Sequence, residues 1–159
     1  MKFVSEIIRK TIETKALEFG IDADLIEAFC MTESSGFVKA TRYEPNFYKK
    51  YIQPMLTDNK ITLHEAIGRA TSWGLMQIMG QVAREKGFKG EFQELFEPSV
   101  NLTWSLKHLK RFIEKYDPDL DSAIAAYNAG SARRKEDGTF VNQQYVDKVR
   151  GFQRKIMEG

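Results

Sequence analysis

Cysteine is almost absent from this chain. Cys30 stands alone, so no disulfide can close within the chain and no cysteine-based metal framework is available. Histidine is as scarce: His64 and His108 are too few and too far apart for a metal-ligand pattern, and neither a metal nor another cofactor is expected. No apolar run approaches the roughly 18 residues of a membrane-spanning helix. A dominant charge is also missing, since 24 Lys and Arg against 22 Asp and Glu leave a net +2, too weak a bias to argue for nucleic acid. What remains is 42% apolar and 29% charged over 159 residues, which excludes disorder and suits a single globular domain spanning 1–159.

Periodicity reads as helical almost throughout. Val4, Ile7, Ile8, Ile12 and Ala16 recur at helical spacing up to Gly20, a C-terminal stop. Asp22 is placed to cap a second helix carrying Leu25, Ile26 and Phe29 inward, which Ser34-Ser35-Gly36 ends, so Glu33 falls in its last turn. Lys39 to about Lys60 breaks into Pro, Asn and aromatic residues and is expected to be an ordered loop or short hairpin. Thr62-Leu63-His64-Glu65 has the form of a capping box. Helices are then expected over about Leu75–Lys86, closed by Gly87, over about Ser99–Lys115, stopped by Asp117-Pro118, and over Leu120–Ala129, with a last one capped by Asn142. That last helix carries Tyr145, Val149, Phe152 and Ile156 inward, and the turn Lys135-Glu136-Asp137-Gly138 precedes it. The fold class is therefore all-α, with at most a minor hairpin or ordered loop between about 39 and 60.

Three short runs stand out: Glu33-Ser34-Ser35-Gly36, Ser72-Trp73-Gly74-Leu75-Met76-Gln77-Ile78, and Ala125-Ala126-Tyr127-Asn128-Ala129-Gly130. Singly, the first is a common helix end, the second ordinary core, and the third a helix with one buried tyrosine. Together and in this order they resemble the lytic transglycosylase and goose-type lysozyme families, over roughly Asp22 to Lys135. The resemblance implies a lysozyme-like helical domain with a substrate groove, and cleavage of the β-1,4 bond between N-acetylmuramic acid and N-acetylglucosamine in peptidoglycan. Glycan strands of the cell wall are then the partner, and a monomer is expected.

The chemistry asks for a protonated acid near neutral pH, whereas an ordinary Glu, with a pKa of about 4.3, is ionised there. Glu33 lies where its own helix dipole disfavours a carboxylate, and Phe29, Met31 and Phe37 are near enough in sequence to desolvate it. By the resemblance Glu33 is the catalytic acid, Met76 and Gln77 contact substrate, Tyr127 lies over the acid and the N-acetyl group, and Asn128 helps hold the site together. Two mechanisms stay open. Glu33 acting alone as acid and then base closes a 1,6-anhydromuramic ring, as in a lytic transglycosylase. A second carboxylate about 6.5–9.5 Å away instead activates water, as in an inverting lysozyme, and Glu44 leads Asp58 and Glu65 for that part.

The chain departs from the family pattern in the span from Ala40 to Arg69, an apparent insertion. It contains Arg42-Tyr43-Glu44-Pro45-Asn46-Phe47-Tyr48, similar to a run in several phage muramidases, a resemblance that implies a phage-type variant. Ser105 and His108 stand where the family usually has Gly and Tyr. The start shows no secretory apolar region, so action on the wall is expected after phage lysis or dedicated export, or from a longer precursor. Other classes are a catalytically silent murein-binding component, opposed by the intact Glu33, Gln77, Tyr127 and Asn128, and a nucleic-acid or protein-binding module. The latter would use Arg133-Arg134-Lys135 and the Lys148, Arg150, Arg154, Lys155 face, but runs of this kind are usually solvated helix surface.

Overall fold

Residues 3–159 are described in a computed structural model. Helix α1, Glu6–Phe19, starts where the Ser5 hydroxyl accepts from the Ile8 N–H and stops where Gly20 turns left-handed. Helix α2, Ala23–Ser34, is capped by Asp22. A long α7, Pro98–Tyr116, a short central α8, Leu120–Ala129, and a terminal α9, Gln143–Glu158, complete the main bundle. Helix α2 packs along α9, while α7 packs along α8 and α1. Their inward stripes bury Ile12, Leu25, Ile26, Phe29, Leu102, Leu106, Leu109, Ile124 and Val149 in one core. Each such side chain contributes about 1.5–3 kcal/mol on leaving water, which holds the helices against the entropy of ordering them. Glu27, fully buried on α2, accepts from the Phe3 and Val4 N–H groups and from Arg9, fastening the chain's beginning to the bundle.

The mostly helical architecture agrees with the sequence, and two segments differ from it. Leu75–Lys86 is not one helix. Strands β1, Thr41–Tyr43, β2, Thr71–Trp73, and β3, Ile78–Met79, form a small antiparallel sheet, with Arg42 opposite Ser72 and Trp73 opposite Ile78. Helix α6 begins only at Gly80 and runs to Glu85. Gly74 has φ +71° and Gln77 has φ +51°, so the backbone reverses between β2 and β3 in a tight turn that an α-helix cannot contain.

The expected loop over 39–60 is also structured, and its hairpin partner lies outside it, on β2. After β1 come α3, Pro45–Phe47, a π-helical stretch, Tyr48–Ile52, and α4, Gln53–Thr57. Pro54 lacks an N–H and crowds the carbonyl four residues back, and the coil widens so that the Gln53 N–H reaches the Tyr48 carbonyl. Ile52 anchors this arm on Ala66 and Ala70, the former on α5, Leu63–Arg69. Thr62 caps α5, but only half of the capping box forms, because the Glu65 carboxylate is taken by Arg69 and Arg84. A 3-10 turn at Phe92–Phe96, which the sequence did not signal, leads into α7.

Candidate active site

Glu33 projects from the last turn of α2. Ser35, in the left-handed region at φ +53°, returns its N–H to the Met31 carbonyl, and Gly36 returns its own to Cys30. The carboxyl group lines a cleft of about 640 Å³. Burial pushes its pKa up from the ordinary carboxylate range. A hydrogen bond of 2.5 Å from the Tyr145 hydroxyl, and the positive charges of Arg42 and Lys148, pull the other way without overcoming burial. Phe37, expected to help desolvate it, stands 61% exposed and is not part of the cleft.

The turn after Gly74 is the point where the three sequence runs meet. The Ser34 hydroxyl, next to Glu33, donates to the Leu75 carbonyl at 2.7 Å, and the Tyr127 hydroxyl of α8 donates to the Met76 carbonyl at 2.8 Å. The Gly74 N–H donates to the Ala40 carbonyl at 2.8 Å, and the Gln77 amide donates to the carbonyls of Ala40 and Gly74, both at 3.0 Å. Beneath the turn Asn101 of α7 is fully buried and fully used. Its amide donates to the Trp73 and Leu95 carbonyls at 2.7 and 2.9 Å, and its oxygen accepts from the Met76 N–H at 3.0 Å and the Ser105 hydroxyl. A side chain at position 74 would collide with this amide and with the Leu95 carbonyl, so only Gly fits. One acid, one rigid turn and one tyrosine are thereby fixed relative to one another, 94 residues of sequence being spanned from Glu33 to Tyr127.

The family described as Transglycosylase SLT domain matches residues 10–147. The chain belongs to that family. It is accordingly a lytic transglycosylase-type enzyme of a lysozyme-like fold, acting on peptidoglycan. Among the described residues no helix is long and apolar enough to cross a membrane, and no group of three or more His, Cys, Asp or Glu is placed to hold a metal ion.

Within this SLT domain, Gln77, Tyr127, Asn128 and Glu44 all line the cleft with Glu33. Gln77 spends its amide hydrogens on backbone carbonyls and leaves its oxygen free to accept from a sugar hydroxyl or N-acetyl N–H. Tyr127 packs edge-on to Phe29 at 5.0 Å, and burial raises its pKa well above the ordinary phenol value, with the Glu33 charge adding to this, so it stays a neutral phenol. Asn128 accepts from the Asn142 amide at 2.9 Å, and the same amide reaches the Ala125 carbonyl, which ties α8 to the start of α9. Asn142 thus stands at the expected cap position but makes no capping bond. Met76 requires a correction: its side chain is 0% exposed in the main core and does not line the cleft, and its backbone N–H and carbonyl bond to Asn101 and Tyr127 within the turn. Of the three carboxylates considered as partners to Glu33, only Glu44 reaches the cleft. Glu65 is held by Arg69 and Arg84 below the usual carboxylate range, and Asp58 lies at the end of α4 beside Lys60.

Three cleft-side groups were given no role from sequence. Arg42 lines the cleft and holds Glu44 at 2.5 Å while its charge acts on Glu33. His108 also lines the cleft, packed on Phe112 and Tyr127. Burial, with Lys86 and Arg111 adding to it, holds its pKa down at about 4, and among the described residues its buried Nδ1 has no partner. Tyr145 was read only as core; its one signal is that a tyrosine rather than a phenylalanine occupies an inward position, where its hydroxyl needs a partner. Because the Tyr145 hydrogen bond favours the ionised form of Glu33, Tyr145→Phe is expected to raise the Glu33 pKa further. The alkaline limb of the rate profile should then move to higher pH, with a modest loss of maximal rate; a limb that stays in place or moves down would contradict that role.

Proposed function

We propose that this SLT domain cleaves the β-1,4 bond between N-acetylmuramic acid and N-acetylglucosamine without water, Glu33 acting as acid and then as base. Glu33 gives its proton to the glycosidic oxygen, and the bond to C1 of the muramic acid breaks, assisted by the substrate's own N-acetyl carbonyl. The Glu33 carboxylate then takes the proton of the C6 hydroxyl, whose oxygen closes on C1 to give a 1,6-anhydro ring, and the enzyme is restored. Burial that keeps Glu33 protonated suits the first step, and the hydrogen bond from Tyr145 suits the carboxylate of the second.

The observation that carries this reading is the state of the second carboxylate. One Glu44 carboxylate oxygen is occupied by the guanidinium of Arg42, so a water held by Glu44 would have to compete with that ion pair for the same oxygen. The inverting hydrolase draws its support from Glu44 lining the same cleft as Glu33. Glu44→Gln separates the two. A loss of less than about fivefold in kcat/KM on purified peptidoglycan is expected here, whereas a loss of about a hundredfold or more would mean that Glu44 is a general base and the enzyme a lysozyme.

A further inference from the structure

We propose that the arm over 41–57 carries a saccharide-stacking subsite, with the ring of Tyr51 as its platform and Phe47 as its support. This inference rests on the glycan-cleaving function proposed above and extends it to a part of the chain that the three runs do not include. Phe47 and Tyr51 stand four residues apart, and their ring centroids lie 5.0 Å apart at 46°. Both line the cleft that holds Glu33 and Gln77. Tyr51 is 52% exposed, and Lys50 lies with its Nζ 4.9 Å from the same ring.

An aromatic ring half in water, lining the groove and braced by a second ring, presents a flat apolar face to whatever the groove binds. Pyranose rings offer such a face: their axial C–H groups form an apolar patch while the hydroxyl groups point outward. The arm is also rigid enough to serve. Ile52, Met55, Leu56 and Ile61 pack it on α5, and Tyr51 lies outside that small core, so its ring is presented without being needed to hold the arm. The π-helical stretch that carries it is a form of helix often found at functional sites.

Tyr51→Ala is tested in two backgrounds. In the active chain, KM for purified peptidoglycan is expected to rise about fivefold to tenfold with kcat within about twofold, and Tyr51→Phe is expected to behave as the parent, because stacking needs the ring and not the hydroxyl. In the Glu33→Gln background, the dissociation constant measured by co-sedimentation with purified sacculi should rise by the same factor. Unchanged KM and unchanged sedimentation in Tyr51→Ala would overturn the subsite while leaving Glu33-dependent cleavage intact. A fall in kcat alone would also overturn it, since Tyr51 would then belong to the chemistry. If the parent releases no Glu33-dependent fragments yet Tyr51→Ala still weakens sedimentation, the subsite stands and the catalytic reading fails.

Discussion

Glu33→Gln is expected to lower the release of soluble fragments from purified peptidoglycan by roughly a thousandfold or more, while the folded protein becomes no less stable. The loss is large because, in the proposed mechanism, one carboxyl group makes two proton transfers, each worth about 10²–10⁴-fold. Glutamine keeps the shape and can still accept from Tyr145, but it has no dissociable proton. The stability arm follows from the direction of the pKa. Glu33 is raised in the folded chain, so between its unfolded and folded pKa values the folded state binds more protons, and stability falls as pH rises through that window. The glutamine variant carries no such penalty. Its advantage in melting temperature should be absent below the ordinary glutamate pKa, grow as pH rises, and level off above the folded pKa. Such a gain bought with activity is what a functional rather than structural carboxyl group produces. Retained cleavage would remove Glu33 from the chemistry.

Asn101→Leu is expected to be the most damaging change away from the reacting groups. It leaves the Met76 N–H and the Trp73 and Leu95 carbonyls without their buried partner, at about 1–3 kcal/mol each. With partial relaxation the cost should reach roughly 3–5 kcal/mol, lowering the melting temperature by about 10 °C in a domain of this size. Activity should fall even well below the new melting temperature, because the turn carrying the Met76 and Leu75 carbonyls also seats Tyr127 and Ser34. Thermal unfolding and steady-state kinetics on the same preparation check both parts. A cost below about 1 kcal/mol would show that the turn is held by its own backbone and not from α7.

Much of the bundle was legible because its helices carry their own punctuation: Gly20 after α1, Asp22 and Ser35-Gly36 on α2, and the stop at Asp117-Pro118 after α7. The place of Glu33 in the last turn of α2 was legible for the same reason. The hairpin over β2 and β3 was not, because Leu75-Met76-Gln77-Ile78-Met79 is a short apolar run whose periodicity cannot separate strand from helix. What decides it is a tertiary anchor, Asn101, and a left-handed Gln77, neither of which shows in a local window. Met76 was assigned substrate contact by the resemblance alone, and on this turn its side chain faces the core, as periodicity by itself would have it. Tyr145 reaches Glu33 across 112 positions, and local pattern registers only that it points inward. Of the basic residues near the end, Arg134, between α8 and α9, pairs with Asp119, and Arg150 of α9 pairs with Asp121.

The most direct measurement is mass spectrometry of the fragments released from purified peptidoglycan by the native chain, with Glu33→Gln as the control. Muramic ends lighter by one water than reducing ends, absent from the control, are the expected result and identify the 1,6-anhydro product of a single carboxyl group acting as acid and base. Glu33-dependent reducing ends would contradict it, and would make Glu44 the base of a hydrolase.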